Sequence, residues 1–162
     1  MTAPVGDYAS WGSRVGATLV RGIVPAIVIA PLVAIGTAIG DAGLLLALVG
    51  YVFGIAASIR MLIQRGHLGY DVGDAVLGQR LVGQETGRQL GSGMTVFIRQ
   101  LAHILDAIPC YVGYLWPLWD QQRQTFADKV MKTVVVKEAA RPHEPVELIK
   151  NAFLFWTPVI KS

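Results

Sequence analysis

Arg99, His103 and Asp106 follow one another at spacings of four and three residues in a stretch otherwise filled by Ile98, Leu101, Leu105 and Ile108. On a helix the three polar groups project from one narrow stripe while the apolar residues cover most of the rest. A guanidinium, an imidazole and a carboxylate so placed could relay a proton, or could close a buried ion network against another segment. Arg14 and Arg21, seven residues apart and so on one helix face, bring two more cations into apolar surroundings. Arg21 lies about two turns inside its helix and must be paired, wetted or covered by protein. Nucleophilic catalysis is not indicated, because Cys110 follows Pro109 and lacks an orienting group. Cys110, the single cysteine, reads as a small buried apolar residue, and histidines at 67, 103 and 143 have no metal-site spacing. The chain therefore reads as non-enzymatic, with no cofactor and no metal.

The elements that position these residues are read from hydropathy. Of the 162 residues 53% are hydrophobic and only 15% charged, with a mean hydropathy of +0.49, which points to lipid rather than water as the main solvent. Stretches 22–40 and 42–59, apart from the Asp41 between them, carry no charge, each close to the length that spans a bilayer. A first helix is expected over about 13–40, N-capped by Ser13 and bent by Pro25 and Pro31. After the turn 40–43, a second helix over about 44–63 must run antiparallel to it. Gly36, Gly40, Gly50 and Gly54 form small-residue pairs that let backbones approach, within the hairpin or in a dimer.

Segment 64–93 is polar and glycine-rich; it is expected to hold a short amphipathic helix and a strand, and its glycines match no phosphate-binding loop. Stretch 94–119 is the third apolar one, but its uncharged part 107–119 reaches only about 20 Å along a helix, less than a hydrocarbon core. It is expected to dip in and return, breaking near Pro109 and Pro117, with Tyr111, Tyr114, Trp116 and Trp119 as interfacial anchors. A full crossing from Met94 to Trp119 is the alternative. Segment 120–137 ends in the β-branched run 133–137, a natural strand partner for Arg80 to Gln84. The fold class expected is an all-α membrane protein: a two-helix transmembrane hairpin, a third broken membrane-embedded or interfacial helix, and a small cytoplasmic segment with a short β pair. Residues 1–137 form that membrane domain. Residues 138–162 form a linker and an amphipathic tail, in which Leu148, Phe153, Phe155 and Trp156 could dock onto a partner.

A net charge of +3 and a pI near 9.2 do not imply nucleic acid here, because the basic residues flank apolar segments instead of forming a polar patch. Counted by the positive-inside rule, the N-terminus, the middle segment and the C-terminus are all cytoplasmic, as in a multi-pass protein of the cell membrane. Nothing in the first residues reads as a signal peptide.

Five motifs together resemble the RDD family in its actinobacterial form. They are Trp-Gly-Ser-Arg-Val-Gly-Ala from Trp11, Val-Leu-Gly-Gln-Arg-Leu-Val-Gly-Gln-Glu-Thr-Gly from Val76 and Arg-Gln-Leu-Ala-His-Ile-Leu-Asp from Arg99, followed by Tyr-Leu-Trp-Pro-Leu-Trp-Asp from Tyr114 and Arg-Gln-Thr-Phe-Ala-Asp-Lys from Arg123. The similarity covers about residues 8–137. The family is named for one arginine and two aspartates in a small membrane domain, and transport has been proposed for some members. The resemblance implies that Arg14 is the family arginine and Asp128 the later aspartate. Where such proteins usually carry an aspartate in the first helix this chain has Arg21, and where they usually carry a lysine after the second helix it has Asp74. Either a salt bridge survives with its polarity reversed as Arg21 and Asp74, or the two positions were lost independently, leaving Asp106 as the best partner for Arg21.

The function expected is a non-enzymatic accessory or scaffold subunit of a larger membrane complex. The alternative is a component of a proton-coupled ion or small-ligand transporter, working as an oligomer, since two spanning helices cannot enclose a pathway. The partners expected are the lipid bilayer and a larger membrane complex or a homo-oligomer, with no nucleic acid.

Overall fold

The computed structural model describes residues 7–138, 144–154 and 157–158. Helix α1, Trp11–Ala38, is N-capped by Ser10, whose side chain accepts from the Ser13 amide at 3.2 Å. The expected cap, Ser13, is one of the first helical residues instead, and its hydroxyl is engaged elsewhere. Helix α1 runs on through Pro25 and Pro31. A 3₁₀ turn, Gly40–Gly43, leads into α2, Leu44–Leu68. This helix is five residues longer than the sequence suggests, because nothing between Gln64 and Leu68 breaks it. It stops at Gly69, whose φ of 82° is the left-handed cap that glycine adopts without strain.

There follow α3, Val72–Leu77, β1, Gln79–Gly83, and α4, Gly93–Ala102. Next come α5, Ile104–Ala107, α6, Val112–Leu115, with a 3₁₀ turn at Trp116–Leu118, and α7, Phe126–Val130. The order closes with β2, Thr133–Lys137, and α8, Pro145–Phe153. The chain is thus mostly helical with one two-stranded antiparallel sheet, in which Leu81 faces Val135 and Val82 faces Val134. The lead-in joins the free side of β2, with Ala9 N donating to Val135 O and Lys137 N to Asp7 O at 2.9 and 2.8 Å.

Helices α1 and α2 pack as an antiparallel hairpin through small residues. A Cβ built at Gly36 would lie 2.6 Å from the Ala47 amide nitrogen and 2.7 Å from the Gly43 carbonyl oxygen, and one at Gly54 would lie 2.5 Å from Ile29. The spacing glycines therefore serve contacts inside the hairpin. Gly36→Val is expected to force the two backbones apart and to destabilise the fold by about 1–3 kcal/mol. The check is unfolding in detergent beside Gly22→Ala, which meets nothing within 4 Å and should be neutral.

The two long helical stretches, Trp11–Ala38 and Gly40–Leu68, are long and apolar enough to cross a membrane. Protein buries only 6% of the most apolar window of the first and 28% of the second, unlike the core helix of a water-soluble domain. The other described elements pack toward the end where α1 begins and α2 finishes. One core cluster there joins Met61, Leu68, Tyr70, Val72 and Leu148, and another joins Ala9, Leu81, Val96 and Val135.

The third apolar stretch is a string of short pieces rather than one helix. It breaks at His103 and reverses at Cys110 and Tyr111, whose φ values are 52° and 64°. On the return α6 lies against α5, since a Cβ at Gly113 would fall 2.4 Å from Asp106 Cα. The reversal overturns one expectation: Cys110, at its outer tip, is exposed and not buried. The outward side of α4 and α5 carries Phe97, Ile98, Leu101, Ile104 and Leu105, while Val96, Arg99 and Asp106 turn inward.

Candidate functional site

The extra turns of α2 bring Arg65 to its buried C-terminal end, facing the start of α3. Asp71 caps α3, accepting from the amides of Gly73 and Asp74 at 2.9 and 3.1 Å, and Asp74 sits in its first turn. Carboxylates suit a helix N-terminus, where amides are free and the backbone dipole is positive. Arg65 meets Asp74 with two parallel bonds, Nε to Oδ2 at 2.6 Å and Nη2 to Oδ1 at 3.3 Å. Arg21 donates through Nε and Nη2 to Asp71, and its Nη2 lies 3.3 Å from Asp74 Oδ2. Gln79 Nε2 donates to Asp74 at 2.9 Å and is itself held by the Ser13 hydroxyl at 2.8 Å. Helix α3 comes this close to α1 because residue 73 has no side chain: a Cβ there would stand 2.1 Å from the Ala17 carbonyl oxygen.

A second cluster centres on Asp128, which is fully buried and completes a capping box with Thr125 at the start of α7. Arg99 donates to it through both Nε and Nη2, Arg14 Nη2 at 2.8 Å, and Thr133 Oγ1 at 3.1 Å. Two arginines from α1 and α4 thus share one carboxylate on α7. Asp106 stands beside this cluster without pairing with Arg21 or Arg99. It accepts from the Phe126 and Ala127 amides at 2.8 and 3.2 Å and from His103 Nδ1 at 2.5 Å.

Burial works against the Asp74 carboxylate, yet Arg65 and Arg21 outweigh it and hold its pKa below the usual carboxylate range. Asp128 shows the same balance, with Arg99 and Arg14 as the cations, and its pKa lies far below that range. His103 moves down as well, because burial and the neighbouring Arg99 outweigh the hydrogen bond to Asp106. A depressed histidine pKa favours folding above the free value of about 6.5 and loses that contribution as pH falls through the folded value. Stability is therefore expected to decline from pH 7 toward pH 5, and His103→Gln to flatten that decline, as read by thermal unfolding at each pH.

Between α1 and α4 the two clusters border one cleft of about 320 Å³. Arg14, Arg21, Arg65, Arg99 and His103 line it, whereas the carboxylates that hold them do not. The rest of the lining is amphipathic, from Trp11, Val15 and Leu19 to Tyr114 and Pro117. Among the described residues, no group of three or more His, Cys, Asp or Glu side chains is placed to hold a metal ion.

The structure brings Arg14, Arg99 and Asp128 into one cluster, Arg21 and Asp74 into the other, and His103 with Asp106 beside the first. The tail residues lie elsewhere. Leu148 is buried against α2 and α3, and Phe153 stacks on Phe53 at 5.8 Å, so both contact the chain itself. Asn151 ties α8 to α2, accepting from Gln64 at 2.8 Å, while its carbonyl accepts from Arg60 at 2.8 Å. Phe155 and Trp156 lie outside the described residues. Arg65 and Asp71 were missed by motif reading. Gly69 as a helix stop and Asp71 as the next helix start were the signals that could have found them.

A two-helix apolar hairpin carrying a small domain with one arginine–aspartate cluster on the first helix and α7 defines a membrane-type module. The chain belongs to the RDD family, which it matches over residues 8–132. It is 52% identical over 73 residues to a Mycobacterium tuberculosis protein called proline-rich antigen homolog, covering 45% of this chain and 30% of that protein. It is 46% identical over 71 residues to the Mycobacterium leprae proline-rich antigen, covering 44% of this chain and 28% of that protein. The match spans less than a third of the length of these curated relatives. No solved structure matches the chain.

Proposed function

We propose that this chain is a non-catalytic accessory subunit of a larger assembly in the cell membrane, anchored by the α1–α2 hairpin. The N-terminus, the ion-pair domain and the C-terminus would all lie on the cytoplasmic side, as the distribution of Lys and Arg favours. One observation carries the reading. Among the described residues all the arginine–aspartate pairs sit at one end of the hairpin, and in the sequence from Gly22 to Ile59 the only ionisable side chains are Asp41, in the turn, and Tyr51. A path for an ion across the bilayer would have to be lined by another subunit. The oily outer side of α4 and α5 would lie in the interface beside the hairpin, where Trp119 and Tyr111 are also exposed.

The test is a mild-detergent pull-down of tagged full-length chain from its native membrane, sized on a native gel and identified by mass spectrometry. The reading expects a stoichiometric larger partner. Recovery of the chain alone, or as a homo-oligomer that conducts protons or cations in vesicles, would overturn it in favour of the transport reading.

A further inference from the structure

The arginine-lined cleft has features that internal pairing leaves unused. Arg14 and Arg99 share the single carboxylate of Asp128, so neither guanidinium has a carboxylate to itself. Arg14 Nε is buried with no acceptor among the described residues, although the same side chain lines the cleft. Because Asp71, Asp74, Asp106 and Asp128 lie behind the cations and outside the lining, the surface offered to an occupant is cationic. Guanidinium groups so arranged fit a phosphate, which accepts several charge-assisted hydrogen bonds at once.

The mouth of the cleft favours an amphiphile over a free anion. Val15 and Leu19 line it, and they begin a stripe on α1 that continues through Ile23 and Ile27, at four-residue steps. All four are between 37% and 67% exposed, and they extend for about 18 Å along the helix toward the opposite end of the hairpin. Trp11 also lines the cleft, a residue type at home at the membrane interface. We propose that the cleft between α1 and α4 seats the phosphate of an anionic phospholipid, with an acyl chain laid along the Val15 to Ile27 stripe. This rests on the hairpin spanning a bilayer and is independent of any accessory role.

Thr18 gives a test that removes no residue of the ion network. It is exposed and lines the cleft, and among the described residues its hydroxyl donates to the Arg14 carbonyl within its own helix. Full-length chain in neutral detergent is titrated with phosphatidylglycerol, phosphatidylcholine or inorganic phosphate, and bound species are counted by native mass spectrometry. Phosphatidylglycerol is expected to bind on the order of tenfold more tightly than phosphatidylcholine. Thr18→Glu, which adds a competing carboxylate, should abolish that preference, and the neutral Thr18→Gln should keep it. Equal binding of the two lipids, or a preference that survives Thr18→Glu, would overturn the proposal. Displacement of the lipid by millimolar inorganic phosphate would overturn the lipid assignment and leave a site for a soluble phosphate. Co-flotation of the chain with phosphatidylcholine vesicles checks insertion separately, so loss of the site and loss of the membrane reading give different results.

Discussion

Asp128→Asn is expected to be the most damaging single change in the chain, destabilising the fold by about 3–5 kcal/mol. Asp128 has no exposure, and its two oxygens accept from Arg14, Arg99 and Thr133 while also capping α7. Asparagine keeps the shape but leaves two buried guanidinium groups without a counter-ion, and each retains its desolvation cost. The effect should reach α1, α4 and β2 together, because all three meet at this carboxylate. Its measure is unfolding in mixed detergent micelles followed by far-ultraviolet circular dichroism. Glu85→Gln is the comparison: its pair with Lys132 is about 70% exposed on both sides and should be worth less than about 1 kcal/mol. Equal losses for the two variants would mean that the Asp128 cluster is not an anchor.

The second large effect concerns Arg21 and Asp74, where charge exchange is expected to fail. Were they an isolated pair, Arg21→Asp combined with Asp74→Arg would restore most of what either loses alone. Asp74 is instead held in two bonds by Arg65 and a third by Gln79, while Arg21 is bonded chiefly to Asp71. The exchange would set an arginine against Arg65 and an aspartate against Asp71, two like-charge contacts in a buried site. Each single change should cost about 3–5 kcal/mol, and the double variant should be no more stable than the worse single one. Recovery of more than half the loss would show that Arg21 and Asp74 act as a pair on their own.

The hairpin was legible in the sequence because only two stretches are uncharged and long enough for such apolar helices, with the short turn 40–43 between them. The β pair was legible as well: the run Thr133–Lys137 found its partner at Gln79–Gly83, a segment one residue before the expected Arg80 to Gln84. The ends of α2 and of the third stretch were harder. Helix propensity past Ile63 is ordinary, and only the glycine at 69 decides that Arg65 belongs to the helix and reaches the network. The break at His103 has no proline or glycine behind it. It follows from tertiary demands, since Asp106 must turn toward the amides that open α7. Cys110 was placed wrongly because apolar flanks suggest burial, whereas a reversal with positive φ puts its tip outside. The tail was legible as an amphipathic helix but not in its target, since Leu148 meets the Met61–Leu68 end of α2 only in three dimensions.

The site followed a similar division. Helical spacing singled out Arg14 and Arg99, and the family resemblance supplied Asp128; the three come from three elements yet share one cluster. Nothing in spacing revealed that the carboxylates lie behind the arginines, because that depends on Gly73 and on the way α7 is held by Asp106.

A hairpin that crosses a membrane keeps its turn on one side and its ion-pair domain on the other, which labelling of single cysteines distinguishes. In a Cys110→Ser background, Asp41→Cys marks the turn and Glu85→Cys marks the loop after β1, both exposed. A membrane-impermeant thiol reagent applied to intact cells should label the first and reach the second only in inverted vesicles. Labelling of both positions from the same side would mean that the hairpin does not cross the membrane.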